Sequence, residues 1–146
     1  GCGRRGCWEA YAAATALIRD TKRAMEKHPE SLMNEIAKKE GKVTGRTAFD
    51  AMNAGDKTAK ALVSRYIRYV GEGLVNIGNY IRPEIIFMGG GISNQGDWFI
   101  KRLQAYVTRY SYGGKRNPYI KVVKATLKNE AGILGAAALA LKNGKN

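Results

Sequence analysis

The sequence predicts an α/β protein, rich in helix and with a small parallel sheet, that forms one end of a larger domain. Three observations predict it. The residues before Pro83 read as a run of amphipathic helices. A strand–helix–strand unit follows Pro83, and a smooth helix of glycines and alanines comes last. A strand–helix–strand unit implies parallel pairing through a right-handed crossover. Two strands alone do not make a stable sheet, and a parallel sheet needs cover on both faces. The remaining strands are therefore expected outside this chain.

The elements follow in order. Trp8 to Met25 reads as one helix, with Tyr11, Ala14, Ile18, Thr21 and Met25 at three-to-four spacing. His28-Pro29 breaks it, and a short helix from about Ser31 to Lys39 stops at Gly41. Thr44 suits the N-cap of a helix covering Ala48 to Met52 and ending near Gly55. Asp56 suits the N-cap of the longest helix, Lys57 to Tyr80, whose apolar face is Leu62, Val63, Tyr66, Ile67, Val70, Leu74 and Ile77. Gly71, Gly73 and Gly78 interrupt it. An interior glycine costs about 1 kcal/mol relative to alanine, so their presence suggests close approach of another element.

Ile85-Ile86-Phe87-Met88 is an apolar run without helical period and reads as a buried strand. It runs into Gly89-Gly90-Gly91. Asp97 suits the N-cap of a helix from about Trp98 to Arg109 with Phe99, Leu103 and Val107 inward. Ser111 to Pro118 is a loop, and Ile120 to Val123 is the second strand. Asn129 to Leu141 is a helix of small residues, Gly132 and Gly135 among them, smooth enough to lie close to a sheet.

Composition narrows the class. The 146 residues suit one domain, 45% apolar and 25% charged. No apolar run approaches membrane-span length, and residues 1–20 lack the apolar region of a signal peptide. The two cysteines lie together at one end, so no disulfide framework is expected and a reducing, cytoplasmic setting fits. A net charge of +13 invites a nucleic-acid partner. The Lys and Arg residues are scattered, however, without aromatic alternation or a helix-turn-helix pattern. The reading is a solvated basic surface, not a nucleic-acid interface.

Cys2-Gly3-Arg4-Arg5-Gly6-Cys7-Trp8-Glu9 carries the densest chemistry. Thiolates are soft metal ligands, yet a closed zinc site needs four ligands and this segment offers two. Two uncoordinated thiols in a loop are the plainer account. His28, the single histidine, sits beside Pro29 as a surface residue. Glu9 has two readings: compensation of a helix dipole, or acceptance of hydrogen bonds from sugar hydroxyls. Gly89-Gly90-Gly91 also has two: a flexible strand-to-helix turn, or backbone that lets a nucleotide approach beyond the carboxyl end of a strand. Neither G-x-G-x-x-G opening into a helix nor a P-loop is present.

Together these segments resemble the ROK family of repressors and sugar kinases, most closely its bacterial glucokinases. The family motif C-x-C-G-x-x-G-C-x-E aligns with Gly1 to Glu9, short of its first cysteine. Val43-Thr44-Gly45-Arg46, Ala54-Gly55-Asp56, Ile86 to Ser93 and Asn129 to Ala137 match further landmarks in order. The resemblance implies an actin-like ATPase (ribonuclease H-like) fold of two lobes, with residues 1–146 as the later part of the C-terminal lobe. It implies ATP, Mg2+ and a structural Zn2+ in the parent protein. Cys2 and Cys7 would be zinc ligands, Glu9 the sugar contact, and Gly89, Gly90 and Gly91 the adenosine-contacting loop. The family's D-x-G-G-T phosphate strands, its catalytic aspartate and its E-x-G-H segment have no counterpart here. The expectation is a piece of a hexose kinase acting on glucose, inactive by itself, that self-associates as a homo-oligomer and complements a missing N-terminal half. The alternative is a sugar-sensing repressor whose DNA-binding module lies upstream.

Overall fold

A computed structural model describes residues 3–116, 120–127 and 130–143. Its elements run α1 (Glu9–Ala12), α2 (Ala14–Lys27), α3 (Leu32–Glu40), α4 (Thr47–Asn53), α5 (Lys57–Ile81), β1 (Ile85–Met88), a 3-10 turn (Gly91–Gln95), α6 (Asp97–Tyr110), a second 3-10 turn (Gly114–Arg116), β2 (Lys121–Lys124) and α7 (Glu130–Asn143). The strands pair in parallel, with Ile85 opposite Lys121 and Met88 opposite Lys124. The expected strand–helix–strand order and parallel pairing are both present. Among the described residues no helix is long and apolar enough to cross a membrane.

Helix α5 is the axis of the molecule and packs against α1, α2, α4 and α6. Phe49 on α4 is fully buried beside it and stands edge-on to Tyr66, Trp98 and Phe99, with centroids 6.5, 6.1 and 5.9 Å away. Phe99, Leu103 and Val107 point inward from α6, as their spacing predicts. The three α5 glycines each admit one neighbour. A Cβ on Gly71 would come within 2.6 Å of the Tyr106 ring, and one on Gly78 within 2.5 Å of Ile120 Cδ1. Gly73 lies beneath the indole of Trp8.

Several local expectations are corrected. The first helix breaks at Ala13, which is extended at φ −76°, ψ 162°. The carbonyls freed there are satisfied from elsewhere: Arg19 Nη1 donates to Ala10 O at 2.9 Å, and the Tyr66 hydroxyl donates to Ala12 O at 2.8 Å. Arg46, not Thr44, is the cap residue of α4. Thr44 instead receives a hydrogen bond from Arg46 N, and its own N–H donates to Thr47 Oγ1. Gly96, not Asp97, precedes α6, and Asp97 makes no capping hydrogen bond there. Asp56 caps α5 as expected, accepting from Ala59 N at 2.7 Å.

Strand β1 is not buried. Ile85 is 42% and Phe87 67% exposed, while Ile86 and Met88 face the core. The described helices cover one face of the sheet, and a two-strand sheet covered on one face shows the alternation of an open surface. Helix α7 is also uncovered: its described side chains from Glu130 to Lys142 are exposed, and nothing lies within 4 Å of a Cβ placed on Gly132 or Gly135. The smooth helix exists, but among the described residues it makes no close sheet contact.

Candidate functional site

Glu9 owes its place to its neighbour. The Trp8 indole rests on Gly73, and its Nε1 donates to Tyr69 O at 2.8 Å. This anchors the start of α1 on α5, and Glu9 stands exposed in the first turn. The break at Ala13 keeps α1 short and turns α2 away. Tyr66 holds the break from a buried position, and burial pushes its hydroxyl pKa up to about 12, so it remains a donor.

The second component is the loop after β1. Gly90 adopts φ 80°, ψ 173°, and Gly96, at the far end of the 3-10 turn, adopts φ 97°, ψ 169°. That region of backbone space is essentially restricted to glycine. Ser93 ties the loop down: its hydroxyl donates to Gly90 O at 2.7 Å, and its N–H donates to the same oxygen at 3.2 Å. Gly89, Gly90 and Gly91 are exposed. Gly90 and Gly91 have nothing within 4 Å of an added Cβ, and Gly89 only Ala125 at 4.0 Å. Their backbone is open to a ligand.

These two components share one pocket. A cavity of about 380 Å³ is lined by Glu9, Ala13, Tyr66, Gly89, Gly90, Gly91 and Phe99. Gly91 and Ile92 also belong to a second cavity of about 990 Å³, lined by Thr44, Gly45, Arg46, Asp50 and Asn94. Gly45 seats that second wall, since a Cβ there would stand 3.2 Å from Ile92 Cδ1. Gly91 and Ile92 thus border both cavities, while Gly89 and Gly90 line the first. A carboxylate can accept hydroxyl hydrogen bonds, and exposed glycine backbone can meet a nucleotide.

The sequence suggested site roles for Glu9 and the glycines, which line one cavity, but did not reveal that Arg46, Asp50 and Asn94 line the neighbouring one with Gly91. The signal was present: Thr44-Gly45-Arg46 is a turn of polar residues with a glycine, as the loop Gly89–Gly96 is. Asp50 is half-buried, with Arg46 Nε 3.7 Å away.

The metal reading fares differently. Cys2 lies outside the described residues. Cys7 is half-buried, with its Sγ 3.9 Å from Arg4 O. Among the described residues no group of three or more His, Cys, Asp or Glu side chains could hold a metal ion. His28 is exposed and paired with Glu30 at 3.1 Å. The described donor set does not fit a closed tetrahedral zinc site.

Comparison with known proteins gives a consistent picture. A glucokinase of Streptomyces coelicolor is 33% identical over 143 residues, covering 96% of this chain and 45% of that protein. A xylose repressor of Bacillus spizizenii is 25% identical over 142 residues, covering 97% of this chain and 33% of that protein. Among solved structures, a ROK family glucokinase from Streptomyces griseus, in complex with glucose and AMPPNP, superposes with a TM-score of 0.82 at 30% identity, over 97% of this chain and 46% of that one. The chain spans less than half the length of each of these relatives. The fold is that of the ROK sugar kinases, an actin-like ATPase fold. The ROK family profile matches residues 1–143, and the chain belongs to the ROK family.

Proposed function

We propose that this chain is the later part of the C-terminal lobe of an ATP-dependent hexose kinase, working in the cytoplasm and transferring the γ-phosphoryl group to glucose. The observation that carries the reading is the shared pocket: Glu9 and Gly89–Gly91 line it together, and Gly91 also lines a second cavity. In this reading Glu9 binds sugar hydroxyls and the glycine loop meets the adenosine of ATP. The triphosphate, with Mg2+, is the group that supplies the phosphoryl. Phosphoryl transfer needs phosphate clamping, metal and an oriented nucleophile together. The chain's own share is to seat the two substrates beside Gly91, which borders both cavities.

The structural zinc belongs to the same reading of the parent protein, with Cys2 and Cys7 as two of its ligands and the others contributed from upstream. The exposed Ile85, Phe87, Tyr80 and Ile81 support self-association of the isolated chain, read out by light scattering. The higher identity to glucokinase than to xylose repressor favours the kinase over the regulator. The deciding experiment restores the sequence upstream of Gly1 and assays ATP-dependent phosphorylation of glucose and other hexoses. Turnover with glucose is the expected result; absence of turnover with every hexose, or a helix-turn-helix upstream, would sink the kinase reading.

A further inference from the structure

The groove between α2 and α5 carries an arrangement of charge that folding does not explain. Arg19, Arg23 and Lys27 follow one another at four-residue spacing on α2 and line one wall. Lys57 and Arg65, eight residues apart on α5, line the other, with the small Ala61 between them. Like charges at this spacing destabilise a helix. Lys57 also stands at the first position of α5, where the helix dipole disfavours a cation. Of the lining carboxylates there is only Asp20, and it serves Arg19 at 2.9 Å and Arg23 at 3.9 Å. His28, at the groove's end, is engaged by Glu30. Among the described residues Lys27, Lys57 and Arg65 have no ion-pair partner.

The groove encloses about 700 Å³, room for a small molecule. At one end Tyr11 and Tyr69 form an aromatic wall, their rings 5.3 Å apart. It shares no residue with the Glu9 pocket.

We propose that this groove is a binding site for a small organic phosphate, whose anionic group lies between the cations of α2 and α5 and whose ring lies against Tyr11 and Tyr69. Facing rows of cations become favourable once a multiply charged anion lies between them, and an aromatic face accepts a sugar or base ring. The site stands apart from the cavities of the proposed kinase reaction and does not depend on that reading.

The test is calorimetric titration of the 146-residue chain with inorganic pyrophosphate, ADP and glucose 6-phosphate. The expected result is saturable binding of pyrophosphate and tighter binding of one ring-bearing ligand, which names the source. The triple variant Arg23→Gln/Lys57→Gln/Arg65→Gln should weaken binding roughly tenfold, on the scale of three exposed charge contacts. The control Lys39→Gln/Lys101→Gln/Arg102→Gln removes the same charge from exposed positions elsewhere. It should leave affinity within about twofold. Removing mutually repelling cations should also leave the melting temperature of the groove variant unchanged or raised. Equal weakening in both triples would mean general attraction to a chain of net charge +13 and would overturn the site, as would absence of saturable binding.

Discussion

The indole of Trp8 occupies the space that a side chain on Gly73 would need, and the same indole donates a hydrogen bond to the carbonyl of Tyr69. One aromatic residue before α1 is thereby locked into α5 at two points a turn apart. The lock sets where Glu9 stands.

Substituting Gly73→Ala forces the indole out of its seat. Overpacking of this kind costs about 1–3 kcal/mol. The cost should largely vanish in a Trp8→Ala background, where nothing fills the space. A double-mutant cycle by chemical denaturation reads the coupling directly. Equal destabilisation in both backgrounds would remove the contact from this account.

Asp56 caps two helices with one carboxylate. Oδ1 accepts from Ala59 N, and Oδ2 accepts from Leu32 N and the Ser31 hydroxyl, each at 2.7 Å. Partial burial raises its pKa, but hydrogen bonds from Ala59, Ser31, Leu32 and Thr58 together outweigh this and hold it below the usual value. A depressed folded pKa contributes stability that is fully present above about pH 3.9 and is lost as pH falls through the lower folded value. Asp56→Ala should cost about 2 kcal/mol near neutral pH, two caps at about 1 kcal/mol each. The gap from the parent chain should close in acid; a gap independent of pH would refute the capping role.

How far the sequence foretold these relationships depends on the range of the interaction. Some ends set by neighbours in the chain were legible: Asp56 caps α5 and Gly41 ends α3 in the left-handed conformation, whereas the caps read at Thr44 and Asp97 fall to Arg46 and Gly96, and Ser31, read as the start of α3, is its cap. The α5 glycines announced close packing, but their partners Tyr106, Trp8 and Ile120 lie far along the chain, and no local pattern names them. The break at Ala13 was invisible because alanine is the best helix former, so only the distant Tyr66 and the side chain of Arg19 decide it. In the site, residue types suggested roles for Glu9 and the glycines. That the two line one pocket is a tertiary fact, since they stand eighty residues apart in the chain.

Gln104 is another such partner. From α6 its amide spans the outer edge of β2, donating to Ile120 O at 3.0 Å and accepting from Val122 N at 2.7 Å. The side chain stands in for a neighbouring strand and blunts that edge. Its Nε2 also donates to Thr108 Oγ1 at 3.1 Å, so Gln104→Ala should destabilise by about 3 kcal/mol, three part-buried hydrogen bonds at about 1 kcal/mol each. It should also raise self-association measured by light scattering. Stability unchanged within about 0.5 kcal/mol would show that water replaces the amide without cost.

The glycine loop separates strain from binding. Gly90→Ala meets no neighbour but must adopt φ 80°, ψ 173°, which should cost about 1–3 kcal/mol. Gly91 has no positive φ and no neighbour within 4 Å of an added Cβ, so Gly91→Ala should leave stability within about 0.5 kcal/mol. Gly91 lines both cavities, and in the proposed reading the added methyl should weaken AMPPNP binding. Stability by thermal melting and nucleotide affinity by titration should therefore part company at Gly91. If both stay unchanged, the loop does not meet the nucleotide.

Glu9 offers the sharpest test of the proposed sugar contact. Its side chain is exposed in the first turn of a four-residue helix, where a carboxylate contributes a few tenths of a kcal/mol through the dipole. Glu9→Gln keeps the shape and removes the charge, so melting should move little. Hydrogen bonds to a charged acceptor contribute about 1.5–3 kcal/mol, so in the protein restored upstream the substitution should lower kcat/KM for glucose roughly tenfold to a hundredfold. The KM for ATP should change far less, because the contact assigned to Glu9 is to sugar hydroxyls and not to the nucleotide. A loss that fell equally on ATP would place Glu9 in a structural role, and no loss at all would end its assignment to the sugar.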